Sequence, residues 1–189
     1  MEIIAGTPQT LTADTMYSLA KFRHRVFVEM LGWDLPSRDG LELDQFDRDD
    51  TIYVVARREG EVLGVARLLP TDRPYLLGEV FPELMGQAPL PRDHRVWELS
   101  RFTAIDLSAD TAVSAARQFS SPIAVELLRF VLSYAAANEV ERLITVSPIG
   151  VERLLRRAGF LAHRAAPPKI IGGYPIFACW IEVSPPPDG

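Results

Sequence analysis

The sequence predicts an α/β domain with a mixed sheet, and three observations support this prediction. Apolar residues recur at helical spacing over 12–30 and again over 122–138. Runs rich in β-forming residues, bounded by turn residues, dominate the centre of the chain. Helical segments then separate the later strands, which is an order typical of layered α/β domains.

The predicted elements follow the order β–α–β–β–β–α–β–α–β. Residues 2–5 form a short strand, and GWDLPSRDG ends the helix over 12–30. Residues 51–70 are predicted to form a hairpin around the turn REGE, and 74–95 a proline-rich loop with a helical turn near 80–85. The later elements are the strand 96–106, the helix 122–138, the strand 141–147, the helix 150–159 and the strand 174–183.

Length and composition predict a single domain over 1–183 with a flexible proline-rich tail over 184–189. No apolar run approaches the roughly 20 residues that span a bilayer, and MEIIAGTPQT lacks the features of a signal peptide. The one cysteine, Cys179, excludes an internal disulfide. We therefore expect a cytoplasmic protein without a membrane partner.

Charge is distributed unevenly along the chain. The net charge of −5 disfavours general nucleic-acid binding. Residues 34–50 hold seven acids and two bases, whereas residues 139–169 hold six bases and three acids. One segment could attract a cation and the other an anionic partner, and the alternative is that both are solvated faces.

The stretch FRHRVFVEMLGW places charge beside aromatic residues. Arg23 and Phe27 are four apart and share a helical face, and Trp33 follows the helix. The arginine could be a surface residue whose stem packs on the aromatics. It could also belong to a pocket that binds a carboxylate and packs an adenine or an acyl chain.

The stretch LELDQFDRDD places Asp44 and Asp47 on either side of Phe46 in a loop. Aspartates favour caps and turns, which is the structural alternative to a binding role. The spacing is not that of an EF-hand loop and no histidine is near, so we expect no metal site.

The predicted strand VWELSRFTAID contains Glu98 and Arg101 among apolar residues. A buried charge is expensive unless it is paired. Strand alternation would place the two side chains on opposite faces, so sharing one cleft requires a bulge near 99–100. The alternative is a structural ion pair between Glu98 and Arg67 of the hairpin.

Other common chemistries lack support in the sequence. His24, His94 and His163 do not have metal-ligand spacing. The chain has no G-x-S-x-G, P-loop or G-x-G-x-x-G motif. Cys179 lies in an apolar strand without a neighbouring base, which indicates a structural thiol.

Taken together, the ordered motifs resemble those of the LuxI-type acyl-homoserine-lactone synthases, which make quorum-sensing signals. The resemblance extends over about residues 2–183 and implies a fold similar to the GNAT N-acetyltransferases, a mixed, splayed sheet with helices on both faces. No R-x-x-G-x-G/A loop follows GVARLLP, so the resemblance favours a donor on a carrier protein. The matching residues are Arg23, Phe27, Trp33, Asp44, Asp47, Arg67, Phe81, Glu98 and Arg101.

The resemblance implies S-adenosylmethionine and an acyl thioester as substrates, with no cofactor. The α-amine of S-adenosylmethionine attacks the thioester, and the carboxylate then closes the lactone and releases methylthioadenosine. The implied catalytic residues are Glu98 as base, Arg101 and Ser100. The residues implied to bind S-adenosylmethionine are Arg23, Phe27, Trp33, Asp44, Asp47, Arg67 and Phe102.

The resemblance also implies an acyl pocket after the strand 141–147. Its candidate residues are Thr145, Ser147, Leu154 and Leu155, and a core role for them is the alternative. An acyl carrier protein, or coenzyme A, would supply the acyl group. The candidate docking residues are Arg142, Arg153, Arg156, Arg157, Arg164 and Lys169.

Two other functions remain open from the sequence. One is a GNAT-like N-acyltransferase that acts on another amine. The other is a silent relative that binds these ligands as a sensor. The motif set from Arg23 to Asp47 argues against the first, and the presence of both Glu98 and Arg101 argues against the second.

Overall fold

The computed structural model describes residues 1–107 and 121–183, and the chain divides into two units. The first unit comprises Met1–Leu68 and Arg101–Leu128, and the second comprises Leu69–Ser100 and Arg129–Gly189. The predicted tail over 184–189 lies outside the described residues. The single domain predicted over 1–183 stays a prediction.

The described residues form four α-helices, ten strands and two irregular helical segments. The α-helices are α1 (Ala13–Arg23), α2 (Leu76–Val80), α3 (Pro122–Ala137) and α4 (Val151–Arg157). A π-helical segment over His24–Met30 continues α1, and a 3-10 turn over Pro82–Met85 follows α2. The strands are β1 (Glu2–Gly6), β2 (Ser37–Arg38), β3 (Leu41–Glu42), β4 (Ile52–Arg58), β5 (Glu61–Pro70), β6 (Val96–Ala104), β7 (Arg142–Pro148), β8 (Ala162–Arg164), β9 (Lys169–Ile171) and β10 (Tyr174–Glu182).

In the first unit, α1 packs its apolar face against an antiparallel meander. β4 pairs with β1 on one side and with β5 on the other. Thr12 caps α1, since its side chain accepts the backbone N–H of Thr15. The shared core buries apolar side chains of α1, the π segment and the strands: Leu19, Phe22, Val26, Phe27, Tyr53, Val55, Val65 and Ile105.

The turn between β4 and β5 follows directly from its sequence. Glu59 and Gly60 both adopt positive φ, at 52° and 87°. Two consecutive residues in this conformation form the tight turn whose twist suits antiparallel strands. The hairpin predicted over 51–70 is therefore confirmed, and its register carries Arg67 opposite Tyr53.

In the second unit, parallel and antiparallel pairs combine in a mixed sheet. The start of β6 runs parallel to β7, with Val96 opposite Arg142. β7 is antiparallel to β10, which also pairs with β8 and β9. β7, which carries Thr145 and Ser147, is therefore an inner strand of this sheet, and α4 follows it in the chain.

Most predicted elements are confirmed, and the differences concern short or irregular ones. The helix predicted over 12–30 is present, but its last seven residues are π-helical. The sequence reading missed β2, β3, β8 and β9, which have two or three residues each. Such short strands contain too few residues for alternation to show. None of the helices among the described residues is long and apolar enough to cross a membrane.

Candidate functional site

Three arginines and three carboxylates form an ionic network inside the first unit. Their formal charges balance, and all six side chains are almost entirely shielded from solvent. Five of these residues are predicted from the sequence as site residues, and the structure brings those five together. The six are Arg23, Glu42, Asp44, Asp47, Arg67 and Arg101.

Arg23, the last residue of α1, is fully engaged within this network. Its Nε donates to Glu42 Oε2 at 2.6 Å. Its Nη1 and Nη2 donate to the two carboxylate oxygens of Asp47 at 2.7 and 2.9 Å. The side chain is only 1% exposed. Every nitrogen of its guanidinium therefore already has an internal carboxylate partner.

The loop between β3 and β4 folds around its own aspartates. The backbone N–H of Asp44 donates to Asp47 Oδ2 at 2.7 Å, and that of Phe46 donates to Asp44 Oδ1 at 2.8 Å. Arg67 Nη1 lies 2.6 Å from Asp44 Oδ1 and 3.3 Å from Asp47 Oδ2. Charge-assisted bonds of this kind hold the loop in one conformation.

The irregularity predicted in the strand β6 is present, but it lies at Arg101. Its φ is +51°, which L-residues rarely adopt, within the strand β6. The irregularity was predicted at 99–100, so the prediction was displaced by one residue. Arg101 Nη2 donates to Glu42 Oε1 at 3.0 Å and to Asp44 Oδ2 at 2.8 Å. Among the described residues, Arg101 Nη1 has no hydrogen-bond partner.

The electrostatics of the network keep the carboxylates of Glu42 and Asp47 ionised. Burial alone would raise the pKa of Asp47, but Arg23 and Arg67 outweigh burial and hold that pKa well below its usual range. Burial would also raise the pKa of Glu42, but Arg23 and Arg101 outweigh burial and lower that pKa. Among the described residues, no group of His, Cys, Asp or Glu could hold a metal ion.

Two aromatic side chains flank the network. Phe27 and Trp33 stack with ring centroids 5.0 Å apart and an interplanar angle of 19°. Phe27 is buried, and the guanidinium of Arg101 lies 5.8 Å over its ring. Trp33 is 43% exposed, so one aromatic surface beside the network faces solvent.

Glu98 belongs to the second unit and is fully buried. Its Oε2 accepts the backbone N–H of Leu76 at 2.9 Å, and its Oε1 accepts that of Leu77 at 2.6 Å. These are the first two residues of α2, so the carboxylate caps that helix and its orientation is fixed. Burial and the Glu98 charge together raise the pKa of Tyr75 to about 12.

Ser100 and Phe102 flank Arg101 on β6, and both are buried. Ser100 belongs to the second unit and Phe102 to the first. Their predicted contacts with the substrate stay predictions. The same holds for the prediction that Glu98 and Arg101 serve one cleft, since the two residues belong to different units.

The predicted acyl-pocket residues of β7 share one strand face. Thr145 and Ser147 are both buried and lie opposite Cys179 and Phe177 of β10. Alternation along the strand directs them to the same side. Ser147 Oγ has no hydrogen-bond partner among the described residues. The bond from Thr145 Oγ1 to the carbonyl of Val146 is long, at 3.5 Å.

The other two predicted pocket residues lie on α4. Leu155 is buried and Leu154 is half-buried. Burial and the carboxylate of Glu152, another α4 residue, raise the pKa of Cys179 to about 12. The pocket itself stays a prediction.

Half of the predicted docking residues make internal contacts. The guanidinium of Arg142 lies 4.2 Å over the ring of Trp180. Arg156 and Arg164 both pair with Glu152, at 2.9 and 2.7 Å. The other three are exposed and make no ion pair with any described residue: Arg153, Arg157 and Lys169.

Sequence reasoning missed one residue of the network, Glu42, and one residue that binds to it, Tyr53. Glu42 was counted only as an acid of the loop, yet it binds both Arg23 and Arg101. Tyr53 donates its hydroxyl to Asp47 Oδ1 at 2.7 Å. The alternation of Glu42 with Asp44 was the available signal, because it places two acids on one side of an extended segment.

Comparison with known proteins gives one consistent result. Residues 9–185 match the family model described as autoinducer synthase. An acyl-homoserine-lactone synthase of Acinetobacter nosocomialis is 50% identical over 184 residues, covering 97% of this chain and 100% of the relative.

Solved structures agree. TofI in a ternary complex with an inhibitor and MTA has a TM-score of 0.80 at 43% identity, covering 97% of this chain and 92% of that chain. BjaI, a CoA-dependent acyl-homoserine lactone synthase with SAM and isopentyl-CoA, has a TM-score of 0.82 at 25% identity, covering 96% and 82%. An acyl-CoA N-acyltransferase from Pseudomonas aeruginosa has a TM-score of 0.63 at 18% identity, covering 95% and 97%. This last likeness concerns the fold alone, and the predicted GNAT-like fold class is confirmed.

Proposed function

This chain belongs to the autoinducer synthase family, and we propose that it makes an acyl-homoserine lactone from S-adenosylmethionine and an acyl thioester. It is an acyl-homoserine-lactone synthase, an acyltransferase-type enzyme. The proposal of these substrates draws support from BjaI, whose structure contains SAM and isopentyl-CoA. The ionic network is the observation that carries it, because it unites the charged motif residues of the first unit.

The first step is N-acylation. The α-amine of S-adenosylmethionine has a pKa near 8, so it must lose a proton before it attacks the thioester carbonyl. We assign Glu98 as the base that accepts this proton, directly or through a water molecule. The amides of Leu76 and Leu77 hold its carboxylate in one orientation, which a proton acceptor needs. The thiol of the donor leaves as the amide bond forms.

The second step is lactonisation. The substrate carboxylate attacks its own γ-carbon, and the C–S bond breaks to release methylthioadenosine. Nucleophile and electrophile belong to one molecule, so the step gains from proximity. We assign Arg101 Nη1 to the substrate carboxylate, because the other donors of this guanidinium already bind Glu42 and Asp44.

Other network residues take supporting roles in this proposal. Arg23 was expected to bind a substrate carboxylate, but its nitrogens are occupied, so we assign it to positioning the acidic loop. Arg67 has the same role toward Asp44 and Asp47. The two aspartates remain our candidates to attract the cationic ammonium and sulfonium groups. The exposed Trp33 ring is our candidate to pack the adenosyl group.

Further parts of the proposal concern the acyl group and its donor. Thr145, Ser147, Leu154 and Leu155 would contact the acyl chain. The donor would be an acyl carrier protein or coenzyme A, and basic residues over 142–169 would bind it. The proposed reaction needs no cofactor, and we propose that it takes place in the cytoplasm.

Mass spectrometry of spent medium from a heterologous host tests the proposal. Cells that express this chain should release a compound with a homoserine-lactone fragment ion and a defined acyl mass, and empty-vector cells should not. A Glu98→Gln variant that keeps its melting temperature should release less than about 1% of that amount, since general base catalysis contributes about 10²–10⁴-fold. Full product from Glu98→Gln would contradict the role of Glu98, and no product from the parent would contradict the function.

A further inference from the structure

The segment over His24–Met30 departs from α-helical geometry for seven residues. Its wider turns are visible at its end, where the backbone N–H of Leu31 donates to the carbonyl of Val26, five residues earlier, at 3.0 Å. The N–H of Trp33 then donates to the carbonyl of Phe27, six residues earlier, at 2.9 Å. π-Helical turns are rare, mostly a single turn long, and frequent at functional sites. A π-helical segment of this length therefore requires local contacts that stabilise it.

His24 and Glu29 make a contact that the wider turn brings within reach. His24 Nδ1 lies 3.3 Å from Glu29 Oε1. In an α-helix, residues five apart point in directions about 140° apart, because each residue turns the chain by about 100°. The neighbours on an α-helix are instead three and four residues apart. When hydrogen bonds join residues five apart, side chains at that spacing lie one above the other. The contact therefore favours the π-helical form over the α-helical form.

The π-helical form also places the aromatic pair beside the ionic network. Phe27 lies inside the segment and is buried, and the guanidinium of Arg101 lies 5.8 Å over its ring. Trp33 stacks on Phe27 from six residues along the chain. Two carboxylates of the network hold Arg23, the last residue of α1. An α-helical turn over the next residues would rotate Phe27 relative to Arg23, so the position of the stack depends on the π-helical form.

We propose that His24 and Glu29 are positioning residues for S-adenosylmethionine. Their contact stabilises the π-helical form, and this form presents the Trp33 ring, backed by Phe27, to the adenosyl group. The inference rests on the proposed function, in which Trp33 packs that group. Among the described residues, the ion-pair contact of each is with the other, and neither pairs with a residue of the network. The pair therefore acts on the substrate through the aromatic stack.

Steady-state kinetics with variants of the pair tests this role. Glu29→Gln should raise KM for S-adenosylmethionine about two- to fivefold, the factor that one exposed side-chain pair contributes. Its kcat and its KM for the acyl donor should not change. Val28→Glu/Glu29→Val should act in the same direction, because it moves the carboxylate to four residues after His24, a spacing that suits an α-helix. Glu61→Gln, the same change at an exposed glutamate of β5, is the matched control.

A double-mutant cycle shows whether the two residues act as a unit. His24→Gln and His24→Gln/Glu29→Gln should both match Glu29→Gln in KM, because each removes the same contact. Additive effects of the two substitutions, or an unchanged KM in all three variants, would overturn the inference. A lower melting temperature with an unchanged KM would also overturn it, because the pair would then stabilise the fold without positioning the substrate.

Quenching of tryptophan fluorescence by acrylamide separates this inference from the proposed function, since it needs no turnover. Trp97 and Trp180 are 6% and 9% exposed, so quenching reports chiefly on Trp33. Loss of the stack on Phe27 should increase quenching in Glu29→Gln but not in the control, whether or not the parent makes a lactone. Equal quenching in the parent and Glu29→Gln would overturn the inference. A parent that makes no lactone, with increased quenching in Glu29→Gln, would contradict the proposed function and still support the effect of the pair on Trp33.

Discussion

Replacing Asp47 with asparagine should destabilise the first unit strongly. The Asp47 carboxylate accepts two hydrogen bonds from Arg23, one from the Tyr53 hydroxyl and one from the backbone N–H of Asp44. It also lies 3.3 Å from Arg67. Asparagine has nearly the same size, but it loses the charge and presents an NH₂ group where one of these donors now points.

The magnitude follows from the charge balance of the network. Three arginines face three carboxylates, so the substitution leaves one buried positive charge without compensation. Removing one partner of a buried ion pair costs about 3–5 kcal/mol. For a chain of this size, 1 kcal/mol corresponds to about 2–4 °C in the melting temperature. We therefore expect Asp47→Asn to melt roughly 6–20 °C below the parent.

Thermal and urea unfolding followed by circular dichroism would measure this effect. Asp49→Asn is the matched control, because it makes the same chemical change at an exposed residue two positions along the same loop. We expect the control to melt within about 2 °C of the parent, as surface substitutions usually do. Equal melting temperatures for Asp47→Asn and the control would mean that the Asp47 carboxylate does not stabilise the first unit.

Three more predictions concern other parts of the molecule. The pKa values of Glu42 and Asp47 are lower in the folded protein than their ordinary values. The stability that these carboxylates contribute is therefore present above about pH 4 and should be lost as the pH falls through and below that value. Urea unfolding from pH 6 to 3 would measure this loss. Cys179 is buried with a pKa raised to about 12, so at pH 8 a thiol reagent such as dithionitrobenzoate should label it only after unfolding. Ser147→Ala should not lower the free energy of unfolding, because the buried hydroxyl lacks a partner among the described residues, and it should change the distribution of acyl chains in the products, because Ser147 is a candidate residue of the acyl pocket.

Each of these has an outcome that would contradict it. The acid-dependent loss of stability should be smaller in Asp47→Asn, and an equal loss in both proteins would place its cause elsewhere. Rapid labelling of Cys179 in the native protein would mean that β10 opens readily. A Ser147→Ala variant with reduced stability would show that the hydroxyl has a structural partner, and unchanged products would remove Ser147 from the acyl pocket.

The longer elements could be predicted from the sequence because their periodicity is strong. The helix over 122–138 and the hairpin over 51–70 repeat apolar residues often enough to fix both type and position. The π-helical segment over 24–30 could not be predicted, since its apolar residues fit an α-helix equally well. The strands β8 and β9 form only because β10 offers them a partner, which is a tertiary effect.

The candidate site, too, could be predicted only in part from the sequence. The residue types and their order identified Arg23, Asp44, Asp47 and Arg101, which the structure brings together. The sequence did not reveal that the arginines bind the aspartates rather than wait for a substrate. Nor could it locate the positive φ of Arg101, whose side chain binds two carboxylates of a segment far away in the sequence. Pairings between distant segments require the fold.

The product balance of the purified enzyme would test the proposed reaction. Chromatography with mass spectrometry would follow the thioester, S-adenosylmethionine, the acyl-homoserine lactone and methylthioadenosine in one reaction. We predict that the lactone and methylthioadenosine appear in equal amounts, each matching the thioester consumed. Consumption of the thioester with an acylated amine but without methylthioadenosine would contradict the proposed reaction, and would indicate an N-acyltransferase that acts on another acceptor.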